Sequence, residues 1–149
     1  AAGSYHRTHS GYAVAAFHEA LRITLQHGLA RRAADYAHHE RALRMAVEAM
    51  GCTVTSNMTS LVVLNLPPAL AGREKEIVQA CRARGFGIWP TLSEPVQVRI
   101  GILNQLSAAA IGEIVTRFAR AMQEMGAEID LDAVQSGLDR HYAARVAAE

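Results

Sequence analysis

With 149 residues, half of them hydrophobic, the chain is long enough for one domain that buries about two-thirds of its unfolded surface, which excludes disorder. Fifteen basic residues nearly balance fourteen acidic ones and no Lys/Arg run extends past Arg31-Arg32, which excludes a binder of phosphate backbones, so no nucleic acid partner is expected. The apolar run Leu61-Val62-Val63-Leu64 is too short to cross a membrane, Ala1-Ala2-Gly3-Ser4 lacks a signal peptide's apolar core, and Cys52 and Cys81 stand outside any metal-ligand spacing. The expectation is a cytoplasmic protein with two small buried thiols and no membrane partner.

Val14, Phe17, Leu21 and Leu25 recur at helical spacing and predict a first helix from about Tyr12 to His27, with Gly28 as a left-handed cap. From Leu29, the positions Ala33, Tyr36, Leu43, Val47 and Met50 keep to one face and predict a long second helix stopped by Gly51. Glu40 interrupts that stripe and pairs with Arg44 one turn on, a contact worth ~0.3 kcal/mol on an exposed face. Thr53-Val54-Thr55 and Ser60 to Leu66, rich in β-branched residues and closed by Pro67-Pro68, predict strands. A helix from Ala71 to Arg84 through Ile77, Val78 and Cys81 ends at Gly85, and Phe86 to Trp89 predicts a short strand stopped by Pro90. Val96 to Leu103 is the next strand. Ser107 caps a helix with the stripe Ile111, Ile114, Val115, Phe118, Met122 and Met125, closed by Gly126. Asp130 caps a last helix from Leu131 to about Ala148, with Leu131, Val134, Leu138 and Tyr142 on one side.

This order gives an α+β fold: a small antiparallel or mixed sheet with helices on one face, preceded by two long helices. The glycine-rich phosphate loops of nucleotide folds are absent. The outer faces of the two leading helices need another body to cover them.

Val96-Gln97-Val98-Arg99-Ile100-Gly101 sets an arginine inside an apolar run. Arg99 cannot lose its proton, so burying it requires an anion, from a protein carboxylate or from a ligand carboxylate or phosphonate. The other reading, simpler from spacing alone, points it to the solvated face of a half-buried strand. Tyr5-His6-Arg7-Thr8-His9-Ser10 brings hydroxyls, imidazoles and a guanidinium to a helix start, which suits a phosphate and equally an ordinary cap. His38 and His39 point about 100° apart on a helix, so they do not chelate one ion, and no metal is expected. Met45, Met50, Met122 and Met125 read as core filler, and Trp89 either floors a pocket or, more simply, is buried for packing. Lys75, the only lysine, sits between Glu74 and Glu76, the opposite of the desolvated setting a nucleophilic lysine needs.

Taken in order, these motifs become a resemblance. Tyr5-His6-x-Thr8 before a helix, a long second helix ending at Gly51, a helix running into Arg84-Gly85-Phe86-Gly87-Ile88, then Val98-Arg99-Ile100-Gly101 and an amphipathic helix resemble the C-terminal small domain of class V, fold type I pyridoxal-phosphate aminotransferases. That group includes the alanine- and serine-glyoxylate and 2-aminoethylphosphonate-pyruvate enzymes. The resemblance runs from Tyr5 to Ala127, and Gly85 to Pro90 followed by Val98 to Gly101 is most similar to the aminoethylphosphonate branch. It implies that Tyr5 and Thr8 reach across a dimer interface to the cofactor phosphate, and that Arg99 holds the substrate carboxylate through two parallel hydrogen bonds. It reverses the simpler reading of both sites.

Two departures accompany it. His9-Ser10-Gly11 stands where the family has a proline-containing turn, and the Schiff-base lysine and the aspartate at the pyridine nitrogen belong to a large domain that would precede Ala1. The implied organisation is an arm and connecting helix over 1–28, the small domain over 29–127 and an additional helix over 128–149. The implied function is that of the C-terminal part of an aminotransferase moving an amino group from an amino acid or aminophosphonate to pyruvate or glyoxylate. It needs a separate pyridoxal-phosphate-binding large domain or second chain in a dimeric assembly, and is silent alone because it carries no Schiff-base lysine and no catalytic residue of its own. The residues also admit a non-catalytic assembly subunit, or a small-carboxylate-binding α+β domain without a cofactor.

Overall fold

A computed structural model describes residues 10–103 and 106–146. Its elements in order are α1 (Gly11–His27), α2 (Leu29–Ala49), β1 (Thr53–Val54), β2 (Leu61–Asn65), α3 (Glu74–Ala83), β3 (Trp89–Pro90), β4 (Val98–Gly101), α4 (Ala108–Glu124) and α5 (Leu131–Val146), with a 3₁₀ turn at Pro68–Leu70. Polar caps start three helices where the sequence places them. Ser10 Oγ accepts from the Ala13 amide at 3.3 Å, Ser107 Oγ from Ala110 at 3.1 Å and Asp130 Oδ1 from Ala133 at 2.9 Å, each satisfying an amide that the helix leaves without a partner. Gly28 (φ 79°) and Gly51 (φ 83°) end α1 and follow α2 in the left-handed region, which a side chain would strain.

The chain forms two compact units, one up to Asp35 and one from Tyr36 onward. In the first, α1 carries its expected stripe, yet buries none of its residues: Val14, Phe17, Leu21 and Leu25 are all exposed. An apolar stripe of this size without a core is a surface that lacks its cover.

The second unit is built on a four-stranded, wholly antiparallel sheet in the order β1-β2-β4-β3. Strand alternation sends Val62, Leu64, Val98 and Ile100 to one face, where they are buried with Leu43 and Val47 of α2, Ile77 and Cys81 of α3, and Ile111, Val115, Phe118 and Met122 of α4. Val134 and Leu138 of α5 join the same core. The opposite face carries Val63 and Arg99 in register, both of them partly buried. Among the described residues no helix is long and apolar enough to cross a membrane.

Four local expectations are corrected. β3 occupies Trp89–Pro90 rather than Phe86–Trp89, because the Phe86 amide is taken by the Cys81 carbonyl at 3.0 Å to close α3. The strand ends at Pro90 as expected: β3 is an edge, proline's missing N–H falls on the outward side, and the following Thr91 amide bonds Gln97 O at 2.8 Å. Glu40 is not on an exposed face but 7% exposed, and Met45 faces outward instead of filling the core. Trp89 is half exposed, so its role is not packing alone.

Candidate substrate-anchoring site

Four partly buried guanidiniums in this unit, those of Arg44, Arg73, Arg84 and Arg117, each grip a carboxylate and a backbone carbonyl. Arg44 bonds Glu40 Oε1 through Nε (2.9 Å) and Nη2 (2.6 Å) and the Ser56 carbonyl at 2.7 Å, tying α2 to the β1–β2 connection. Arg73 bonds Glu76 and the Met125 carbonyl, Arg117 bonds Glu113 and the Arg84 carbonyl, and Arg84 bonds Glu124 and the Ala80 carbonyl. These contacts satisfy the planar donor fork and staple α3 to α4.

Arg99 breaks the pattern. It stands in the middle of β4, between Val63 of β2 and Trp89 of β3 on the same rung, on the face that the core does not use. Its side chain is half buried, its Nε is shut off from solvent without a hydrogen-bond partner, and among the described residues no carboxylate pairs with it. Two residues away the polar neighbour Gln97 is fully engaged, its amide donating to Thr55 Oγ1 at 3.0 Å and Asn65 Oδ1 at 2.9 Å. Among the described residues the Arg99 guanidinium on this face thus has no protein counter-charge. An orphaned buried donor costs about 1–3 kcal/mol.

A cleft of about 390 Å³ lies between α4 and α5, lined by Gly112, Glu113, Thr116, Gln135 and Tyr142, and one of about 540 Å³ lies beside Asn65, Gly72, Lys75 and Glu94. Neither includes Arg99. Lys75 is exposed at the start of α3. Tyr5 and Thr8 lie outside the described residues.

A second cluster, invisible to local pattern, joins residues about a hundred positions apart. His38 of α2 is 8% exposed and stacks on His141 of α5 with ring centroids 4.2 Å apart, while His141 Nε2 lies 3.2 Å from the His38 carbonyl oxygen. His39 Nδ1 is 2.8 Å from the Tyr142 hydroxyl. Burial, then the charges of His141, Arg145, His39 and Arg41, pushes the His38 pKa down to about 4. Burial likewise pushes Tyr142 up to about 12. The cluster is a helix-to-helix contact, and among the described residues no three His, Cys, Asp or Glu side chains come together to hold a metal ion. Cys52 and Cys81 are buried free thiols, as expected, with burial pushing them up to about 12 and about 11 and leaving them unreactive.

No protein-family model and no curated protein matches the sequence. The fold does find a match: the crystal structure of ureidoglycine-glyoxylate aminotransferase from Bacillus subtilis aligns with a TM-score of 0.83 at 19% identity. This is an aminotransferase small-domain fold. The alignment covers 92% of this chain and 37% of the chain of that enzyme, so the small-domain fold accounts for little over a third of its neighbour's length. The motif order read from the sequence and the α+β architecture thus agree with the structural likeness.

Proposed function

We propose that this chain is the substrate-gripping part of a pyridoxal-phosphate-dependent class V aminotransferase, which moves an amino group from an amino acid or aminophosphonate to a small oxo acid such as pyruvate or glyoxylate. One observation supports the reading: on a small-domain fold, the arginine in the middle of β4 is a half-buried cation that no carboxylate among the described residues pairs with. The structural neighbour is named for glyoxylate as a substrate, which supports an acceptor that presents a compact carboxylate.

The described residues do not fit the reactive end of the cofactor, since the sole lysine is exposed between two glutamates and offers no enclosed amine. The amino-group chemistry therefore belongs to a separate large domain or second chain, in a dimeric assembly to which Tyr5 and Thr8 contribute hydroxyls for the cofactor phosphate. The uncovered stripe of α1 supports such an assembly. This chain's own part is binding and orientation. A guanidinium that holds both carboxylate oxygens fixes the Cα substituents of donor and acceptor in turn, and a misplacement of about 1 Å costs on the order of a hundredfold in rate.

In the assembled enzyme, Arg99→Ala is expected to lower kcat/KM for both amino donor and oxo acid about a hundredfold while cofactor binding is unchanged. Unchanged kinetics remove Arg99 from the site.

A further inference from the structure

Beside Arg99 the open face is unusually bare at one end. Gly101, two residues on, offers no side chain on the same face, and a Cβ built there would meet only Leu103 at 3.6 Å. Trp89 occupies the rung next to Arg99 on the edge strand, where facing Cβ atoms stand roughly 4.5–5.5 Å apart. Its indole leans back over Gly87, with Cη2 3.4 Å and Cζ2 3.9 Å from where a Cβ of residue 87 would lie. Because β3 runs antiparallel to β4, Gly87 and Gly101 lie toward the same end of the Trp89–Arg99 rung. The rung thus sets a half-exposed indole beside the arginine, with two glycines and the Leu103 side chain toward one end.

We propose that Trp89 is the specificity-determining residue of this site. Its indole is the side wall against which the group on Cα rests once Arg99 holds the carboxylate, admitting a hydrogen or a methyl and turning away branched or aromatic side chains. This rests on the reading of Arg99 as the carboxylate anchor. The glycine at 87 lets the wall lie flat, and the glycine at 101 gives the small substituent its space.

The test compares pyruvate with phenylpyruvate as acceptors in the cofactor-loaded enzyme, for the wild type, Trp89→Ala, Trp89→Phe and Arg99→Gln, together with tryptophan emission on adding pyruvate, using Trp89→Phe as the blank. Trp89→Ala is expected to shift the kcat/KM ratio toward phenylpyruvate at least about tenfold, Trp89→Phe to keep the wild-type preference, and pyruvate to change the Trp89 emission unless Arg99 is replaced. A ratio that stays fixed in Trp89→Ala, with no Trp89 emission change, while Arg99→Gln still abolishes pyruvate use, overturns the wall and leaves the anchor intact. Full activity in Arg99→Gln overturns the anchor, and the wall with it. If Trp89→Ala does not fold, the emission difference between wild type and Trp89→Phe decides the matter, and a silent Trp89 overturns the proposal.

Discussion

Arg44, where α2 meets the β1–β2 connection, and Arg99, on the open face of the sheet, present the same side chain at similar burial with opposite commitments. Arg44 spends its donors on Glu40 and Ser56, and the result is a staple. Arg99 has no carboxylate partner among the described residues, one of its donors is sealed from water, and the result is the candidate anchor proposed above. The difference teaches that burial of a charge says little by itself, and that what matters is whether the fold supplies the counter-charge. His38 adds the necessary second condition. Its Nε2 is also buried without a partner, but it faces another helix instead of an open surface, so it marks a packing contact and not a ligand site.

The largest separation between the two arginines is expected in paired measurements on Arg99→Ala and Arg44→Ala. The first loses about a hundredfold in kcat/KM without any loss of stability by urea unfolding, because removing an unpaired guanidinium breaks no protein hydrogen bond and relieves an orphaned buried donor. Arg44→Ala loses about 2 kcal/mol of stability by urea unfolding, because it strands the buried Glu40 carboxylate, and Arg44→Ala with Glu40→Gln recovers part of that loss.

A smaller effect follows from His38. Its pKa is about 4 in the folded protein against 6.5 when unfolded, so the unfolded chain binds more protons between these values and stability falls as pH drops from about 6.5 toward 4, the loss being complete below that. Thermal melting is expected about 5 °C lower near pH 5 than near pH 7.5, and His38→Phe is expected to flatten the dependence. A pH-independent melting curve contradicts a buried neutral His38. The smallest change is expected for Glu113→Gln, since the Arg117 pair is largely exposed: less than about 0.5 kcal/mol by the same unfolding assay.

Much of the fold is legible in the sequence because it is local. The caps Ser107 and Asp130, the stops at Gly28 and Gly51 and the stripe from Ile111 to Met122 each depend on residues within a few turns of one another. What fails is what depends on distant parts. Periodicity places Phe86 and Ile88 inward, but it cannot tell that the Phe86 amide closes α3, so the strand begins later, at Trp89. It aligns Met45 near the core stripe, although the sheet does not reach that far around α2. It sees His38 beside His39 but not His141, which arrives from 103 residues away. The candidate site is legible in half. Arg99 stands out as a charge within an apolar strand, whereas Trp89 beside it becomes visible only once β3 and β4 are in register.

A structure of the assembled enzyme with a small carboxylate bound, at a resolution that shows side-chain hydrogen bonds, tests the central claim most directly. The account predicts both carboxylate oxygens on the Nη donors of the Arg99 fork, with the substrate's Cα facing Trp89. An Arg99 side chain locked instead onto an aspartate or glutamate of the surrounding assembly, with the carboxylate held elsewhere, contradicts it.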